Sequence, residues 1–192
     1  MKKGSPIDRN ENIWNVPNLL TMLRMAGVAV FIALFALDRM TAAMVVFILA
    51  ACTDALDGYI ARKYHLITSF GKLMDPLADK LMTLSALVCL TAKGLVPVWL
   101  LVIEGVKEVI MVCGGIFVLR KKKMVVQADF IGKAATVTFI AAIVATFLHD
   151  VTAPWDFALQ CGAVTLAVAA MVFYVADTVR KVRTSENKTP EF

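Results

Sequence analysis

The stretch TDALDGYIARKYHLITSFGKLMDPLADK, residues 53–80, places four aspartates (Asp54, Asp57, Asp75 and Asp79) inside or beside segments apolar enough to lie in a bilayer. A charged side chain at the centre of a membrane helix costs about 3 kcal/mol on insertion scales. Four of them so close together need compensation, and a bound cation is the simplest form of it. Asp54 and Asp57 are three residues apart and Asp75 and Asp79 four apart, so on helices each pair projects from one face. Two such pairs meeting across a helical hairpin make an all-oxygen cage. Without His or Cys, that donor set suits a hard cation, Mg²⁺ or Mn²⁺, or Ca²⁺. Four carboxylates exceed what one Mg²⁺ recruits, and two ions bridged by a substrate diphosphate fit the charge better.

The composition around this stretch sets the class. Of 192 residues, 59% are hydrophobic, which excludes an ordinary soluble globule. The length accommodates about six spans of ~20 residues. We expect an all-α integral membrane protein forming one domain over residues 1–192. Its helices are predicted near 18–37, 41–61, 72–92, 96–119, 129–148 and 155–178. Residues 1–17 read as a short interfacial segment with Trp14 at headgroup level. Pro17 opens the first helix, and residues 181–192 read as a flexible tail. The N-terminal residues show no apolar core followed by a small-residue cleavage site, so no cleaved signal peptide is expected.

Charge distribution gives the orientation. Lys2, Lys3, Arg9, Arg62, Lys63, Lys72, the run Arg120 to Lys123 and the C-terminal Arg180, Lys181, Arg183 and Lys188 fall on one side of the alternating connections. Only Arg39 and Lys93 fall on the other. Both termini and the aspartates are thus predicted to face the cytoplasm. The net charge of +5 is a topology and headgroup signal, and without repeated aromatic interleaving it gives no reason to expect nucleic acid as a partner. Cys52, Cys89, Cys113 and Cys161 fall singly in four apolar stretches, with no CxxC pair, and read as small core residues.

Other residues frame the acidic stretch. Gly58 and Ala61 let a ligand approach the helix backbone, and Arg62 offers a cation to a phosphate. Gly71 serves either a close backbone approach or the end of a turn. Pro76 marks a first turn or a kink. Asn18, Thr21 and Arg24 share one side of the first helix. They read either as a cap with a snorkelling arginine or as part of the site. Isolated intramembrane acids also serve ion or proton transporters, which is the alternative outside the enzyme class. Transport does not explain four acids set among Gly, Ala and Arg at fixed spacing.

The pattern Asp54-x2-Asp57-Gly58-x2-Ala61-Arg62-x8-Gly71-x3-Asp75-x3-Asp79 resembles the complete signature of the CDP-alcohol phosphatidyltransferase family. The resemblance implies transfer of a phosphatidyl group from a CDP-linked donor to an alcohol, with release of CMP. It implies two divalent ions held by Asp54, Asp57, Asp75 and Asp79, with Asp79 as the general base. Gly58, Ala61, Arg62 and Gly71 would line the cytidine diphosphate site, and Asn18 and Thr21 are placed with them. It also implies a homodimer whose lipid tails enter from the bilayer.

For the acceptor, NVPNLLTMLR (residues 15–24) resembles the PNxLTxxR opening of members that use glycerol 3-phosphate or form cardiolipin. IGKAAT (residues 131–136) resembles a GKxxT segment of members that use glycerol 3-phosphate. The expected substrates are therefore CDP-diacylglycerol and glycerol 3-phosphate, with phosphatidylglycerol as the alternative acceptor. An anionic acceptor calls for cations, and Lys107, Lys133 and Arg120 are the candidates. Lys107 also reads as a structural partner of Glu104, while Glu108 points about 100° away on an ideal helix. Val106-Lys107-Glu108 departs from the Ala/Ser-Arg-Glu triplet of the bacterial members that use glycerol 3-phosphate, keeping the charge but losing a bidentate fork. The expected location is a bacterial plasma membrane, with the site on the cytoplasmic face.

Overall fold

A computed structural model of the chain describes residues 15–64, 68–122 and 130–186, and among these it contains helices and turns with no strand. The helices are α1 (Val16–Ala36), α2 (Met40–Lys63), α3 (Ser69–Ala92), α4 (Val98–Lys122), α5 (Phe130–Phe147), the single turn α6 (His149–Thr152) and α7 (Trp155–Glu186). Three segments, Val16–Ala36, Met40–Ala61 and Trp155–Thr178, are long and apolar enough to cross a membrane, and Gly132–Phe147 is a shorter apolar helix. Together they mark a membrane protein. The long helices α3 and α4 are interrupted by charge: Asp75, Asp79 and Lys80 in one, Glu104, Lys107 and Glu108 in the other.

Helix ends follow local chemistry. The Asn15 side chain accepts the Asn18 N–H at 2.9 Å, capping α1, with Pro17 in the first turn as expected. Residues 1–14, including Trp14 and most of the expected interfacial segment, lie outside the described residues, as do 187–192. Helix α7 continues to Glu186, into the stretch expected to be a tail.

The chain divides into two compact units, one ending at Cys89 and one starting at Leu90. In the first, α1 and α2 pack together as a hairpin closed by a three-residue turn. Asp38 there adopts φ 60°, and the N–H groups of Asp38 and Arg39 return to the carbonyls of Phe35 and Leu34 at 3.0 and 2.9 Å. This is the left-handed C-terminal cap that a short polar side chain tolerates. Each helix carries one inward stripe whose character changes along its length. In α1 the stripe runs Asn18, Thr21, Arg24, Phe31, Phe35, all buried. In α2 buried Ala43, Phe47 and Ala50 lead, at steps of four and three, into Asp54 and Asp57. In α3 buried Ala78, Met82 and Ala86 lie beyond Gly71 and Asp75. The aromatic end is closed by Phe31, whose ring lies 6.1 Å from Phe35 and 6.4 Å from Phe47. Hydrophobic burial holds this end together, and the opposite end is polar.

One local expectation is corrected and another is narrowed. The connection expected over Arg62–Gly71 is shorter: α2 continues to Lys63 and α3 begins at Ser69, so Arg62 and Gly71 are both helical. Pro76 is not in a first turn but well inside α3, where it cannot donate to the carbonyl of residue 72.

In the second unit, α4 and α5 pack on α7, and α6 touches α5 and α7. The turn before α4 uses Gly94 at φ 77°, with Gly94 and Leu95 N–H groups returning to Thr91 and Leu90 carbonyls at 2.9 and 3.0 Å. Leu100, Ala135, Ala142, Ile143, Ala163 and Ala167 are buried. Buried Gln160 donates to the Thr146 hydroxyl at 2.7 Å.

Candidate active site

The hairpin register sets the polar ends of α1 and α2 opposite each other. Arg24, in the third turn of α1, reaches α2 with both arms of its fork. Its Nη1 donates to Asp54 Oδ1 at 2.5 Å and its Nη2 donates to Asp57 Oδ2. The guanidinium is almost wholly buried, and so is Asp57, whereas the Asp54 side chain is 42% exposed. One carboxylate is therefore closed off behind the arginine and the other opens outward. Asp57 is also reached by the Gly58 N–H and lies within electrostatic range of Asp54 and Asp75.

The third helix joins through hydroxyls and a glycine. The buried Thr21 hydroxyl lies 2.5 Å from Asp75 Oδ1 and 3.1 Å from its own helix carbonyl at Pro17. Its single proton serves one acceptor at a time. The Thr68 hydroxyl donates to Asn18 Oδ1 at 3.0 Å and accepts the Gly71 N–H at 3.0 Å, capping the start of α3. A Cβ on Gly71 would lie 2.9 Å from Asn18 Oδ1, 3.2 Å from Thr68 Oγ1 and 3.6 Å from Asp75 Oδ2. Of the two expected uses of Gly71, close approach of helices is the one realised. Asp79 lies one turn beyond Asp75, half-buried, and its carbonyl accepts the Thr83 hydroxyl at 2.9 Å.

Asp54, Asp57 and Asp75 are thus gathered around the polar end of α1 with Asn18, Thr21, Gly71 and Gly58. Among the described residues no three of the acids or histidines converge as ligands on one point. Arg24 takes one oxygen each of Asp54 and Asp57, and Thr21 addresses one of Asp75. The donor chemistry nevertheless fits a hard divalent cation, because every candidate ligand is a carboxylate. Arg24 is a stand-in positive charge at that acidic end.

The comparisons with known proteins match this architecture. A family model described as CDP-alcohol phosphatidyltransferase matches residues 14–179. The chain belongs to the CDP-alcohol phosphatidyltransferase family. It is 37% identical over 153 residues to a Bacillus subtilis protein named CDP-diacylglycerol–glycerol-3-phosphate 3-phosphatidyltransferase, covering 72% of this chain and 79% of the relative. It is 36% identical over 183 residues to a Mycobacterium tuberculosis protein named probable phosphatidylglycerophosphate synthase, covering 88% and 84%. A Streptomyces coelicolor protein named cardiolipin synthase (CMP-forming) is 32% identical over 188 residues, covering 91% and 87%.

The remaining candidates of this CDP-alcohol phosphatidyltransferase are placed as follows. Ala61 is half-buried on the last turns of α2, next to Arg62. Lys107, in the second unit, is largely buried; it donates to Glu104 and lies 3.1 Å from Glu108. Its ammonium also stands 5.8 Å from the Phe139 ring centroid. The Glu104 pairing expected from spacing is formed, and Glu108 adds to it despite its angular offset, because a lysine stem is long enough to bend across. Lys133 is exposed on α5, and Arg120 lies in the last turn of α4. One contributor, Thr68, is not singled out by the sequence, and Arg24 stands there between a structural role and a place in the site. Thr68 carried no signal beyond a hydroxyl before a helix. Arg24 did carry one, its i, i+3, i+6 relation to Asn18 and Thr21, but spacing alone does not separate a snorkelling arginine from a buried one.

Proposed function

We propose that this chain transfers a phosphatidyl group from CDP-diacylglycerol to glycerol 3-phosphate, releasing CMP and forming phosphatidylglycerophosphate. The observation that carries the reading is the gathering of Asp54, Asp57 and Asp75 around Asn18, Thr21 and Arg24 in a membrane member of the family. The name of the Bacillus relative supports the acceptor. In this reading Asp54, Asp57, Asp75 and Asp79 hold two divalent cations, Mg²⁺ or Mn²⁺. When bound, these ions neutralise the donor diphosphate and the leaving CMP. Gly58, Ala61, Arg62 and Gly71, with Asn18 and Thr21, receive the cytidine diphosphate, the small residues giving room beside the helix backbones.

Asp79 takes the proton of the acceptor hydroxyl. That oxygen forms a bond to the phosphorus bearing the diacylglycerol, and the bond from phosphorus to the CMP oxygen breaks. Reactions of this kind depend on alignment and charge neutralisation more than on covalent intermediates. Lys107, Lys133 and Arg120 are assigned to the anionic acceptor, and Lys107 would exchange a glutamate for the acceptor phosphate. The reading includes a single domain of six spans with both termini on the cytoplasmic side, and a homodimer in a bacterial plasma membrane with its site facing the cytoplasm. A second reading, cardiolipin formation with phosphatidylglycerol as acceptor, is favoured by the Streptomyces relative, which spans more of the chain.

CMP release by detergent-purified protein separates these. CDP-diacylglycerol is supplied with Mg²⁺ or Mn²⁺, and each acceptor is offered alone, with Asp79→Asn as control. Turnover with glycerol 3-phosphate, lost in the variant, is the expected result. Turnover only with phosphatidylglycerol would transfer the assignment to cardiolipin formation. No release with either would overturn the transferase reading for these substrates.

A further inference from the structure

The buried Arg24 is not needed as a ligand in the reaction proposed above, yet it occupies the centre of the acidic end. We propose that Arg24 is a resident counter-cation, which keeps Asp54 and Asp57 assembled while no divalent ion is bound and weakens the binding of that ion. The inference rests on the metal reading of the aspartates.

Asp54 and Asp57 project one turn apart from a single face of α2, so each raises the cost of the other's charge. Asp57 has almost no solvent to screen it. A fixed positive charge from another helix solves this, and arginine cannot lose its proton to escape burial. Arg24 comes from α1 and takes Oδ1 of one carboxylate and Oδ2 of the other. Among the described residues its Nε has no hydrogen-bond partner, so the fork is held there by the two carboxylates and not by a third anchor. The snorkelling alternative does not apply, since the guanidinium itself is buried.

An incoming divalent ion therefore meets carboxylates already partly neutralised. Coupling between the arginine and the ion is reciprocal. If Arg24 matters more when the ion is absent, its removal must lower the stability of the ion-free protein and raise affinity for the ion. A residue that merely braced the helices would cost the same with and without metal. A residue that oriented ligands for the metal would have the opposite sign.

The test uses the full chain in detergent without lipid substrate, comparing the parent protein, Arg24→Gln and Arg24→Lys. Thermal unfolding is followed in EDTA and in Mn²⁺, and Mn²⁺ binding is titrated by the loss of its free-ion paramagnetic resonance signal. Arg24→Gln is expected to unfold at lower temperature in EDTA. It should also bind Mn²⁺ at least about tenfold tighter, because a like charge beside the ion has been removed. Its gain in Tm from Mn²⁺ should exceed the parent's by about 4 °C. Arg24→Lys keeps the charge without the fork and should fall between. If Arg24→Gln does not fold, a larger Mn²⁺ gain in Arg24→Lys than in the parent supports the proposal. A gain equal to or smaller than the parent's, or weaker Mn²⁺ binding, in whichever variant folds overturns it while leaving the metal reading intact. Absence of any Mn²⁺ response in the parent protein overturns both.

Discussion

Arg24 and Lys107 are each buried between two carboxylates, and the two clusters are built in different ways. Arg24 reaches from α1 to Asp54 and Asp57 on α2, closing contacts across 30 and 33 residues of sequence. Lys107 draws on Glu104 and Glu108 of its own helix and stands near Phe139 of α5. The first cluster can only form when two helices are already docked, and it adjoins Asp75. The second is local to one helix, and its charges are mostly satisfied before any packing occurs. A cation shared between helices binds fold and site together, whereas one confined to a helix mainly makes that helix tolerable in an apolar setting.

The largest effect should come from breaking the cross-helix cluster at its closed end. Asp57→Asn removes a proposed metal ligand and the buried half of the Arg24 fork. CMP release should fall by about a thousandfold or more, the scale expected when charge stabilisation of the transferring group is lost. Stability should fall by about 3 kcal/mol, the scale of breaking a buried ion pair. Asp54→Asn should abolish activity comparably but cost clearly less in Tm, because its side chain is 42% exposed and water can replace the lost contact. Equal losses of Tm in the two variants would contradict the division into a closed and an open carboxylate.

Next in size is Gly71→Ala. The added methyl would press against Asn18 Oδ1 at 2.9 Å and Thr68 Oγ1 at 3.2 Å, two buried atoms hydrogen-bonded to each other. A cost of about 1–3 kcal/mol is expected, read as a lower Tm together with a lower rate of CMP release. Gly105, on the α4 helix of the other cluster, has nothing among the described residues within 4 Å of the same added atom. Gly105→Ala should thus be neutral or slightly stabilising, by up to about 1 kcal/mol.

These contrasts also mark what was legible in the sequence. The long helices emerge close to their expected places because apolar runs of membrane-spanning length and proline or glycine punctuation determine them locally. The acidic end was legible as well, since carboxylates one turn apart in greasy surroundings have few explanations. What escaped was contact between helices. Thr68 and Arg24 act through partners 50 and 30 or more residues away, and spacing within one helix does not report who stands opposite. Gly71 illustrates the limit: its need for a small side chain was readable, but whether a turn or a neighbouring helix imposed it was not. Lys107 is the reverse case, legible because its partner lies on the same helix.

Lys107→Gln sharpens the comparison from the other side. If its charge serves the acceptor phosphate, KM for glycerol 3-phosphate should rise about tenfold or more while KM for CDP-diacylglycerol stays unchanged. If it serves only Glu104 and Glu108, the variant leaves two glutamates without their cation. Tm should then fall, with no selective effect on either substrate. Pairing the variant with Glu104→Gln distinguishes these further, because a structural pair should show partial rescue in the double variant.

The smallest expected effect lies in the second unit, where His149 Nδ1 stands 2.6 Å from Oδ2 of buried Asp156. That hydrogen bond, with the charge of Asp156 and more weakly of Asp150, raises the imidazole above its ordinary value of 6.5. A group raised in the folded state contributes fully below its unfolded value and loses the contribution as pH rises through its folded value. The window therefore begins near 6.5 and extends upward. His149→Gln should lower Tm at about pH 6 and differ little from the parent at about pH 9. Arg24 itself keeps its proton over that range. Thermal unfolding of the parent and His149→Gln across this interval measures the difference. A His149→Gln effect that is flat with pH would mean that the imidazole holds Asp156 as a neutral donor, and that Arg24 and Lys107 alone among these three supply buried positive charge.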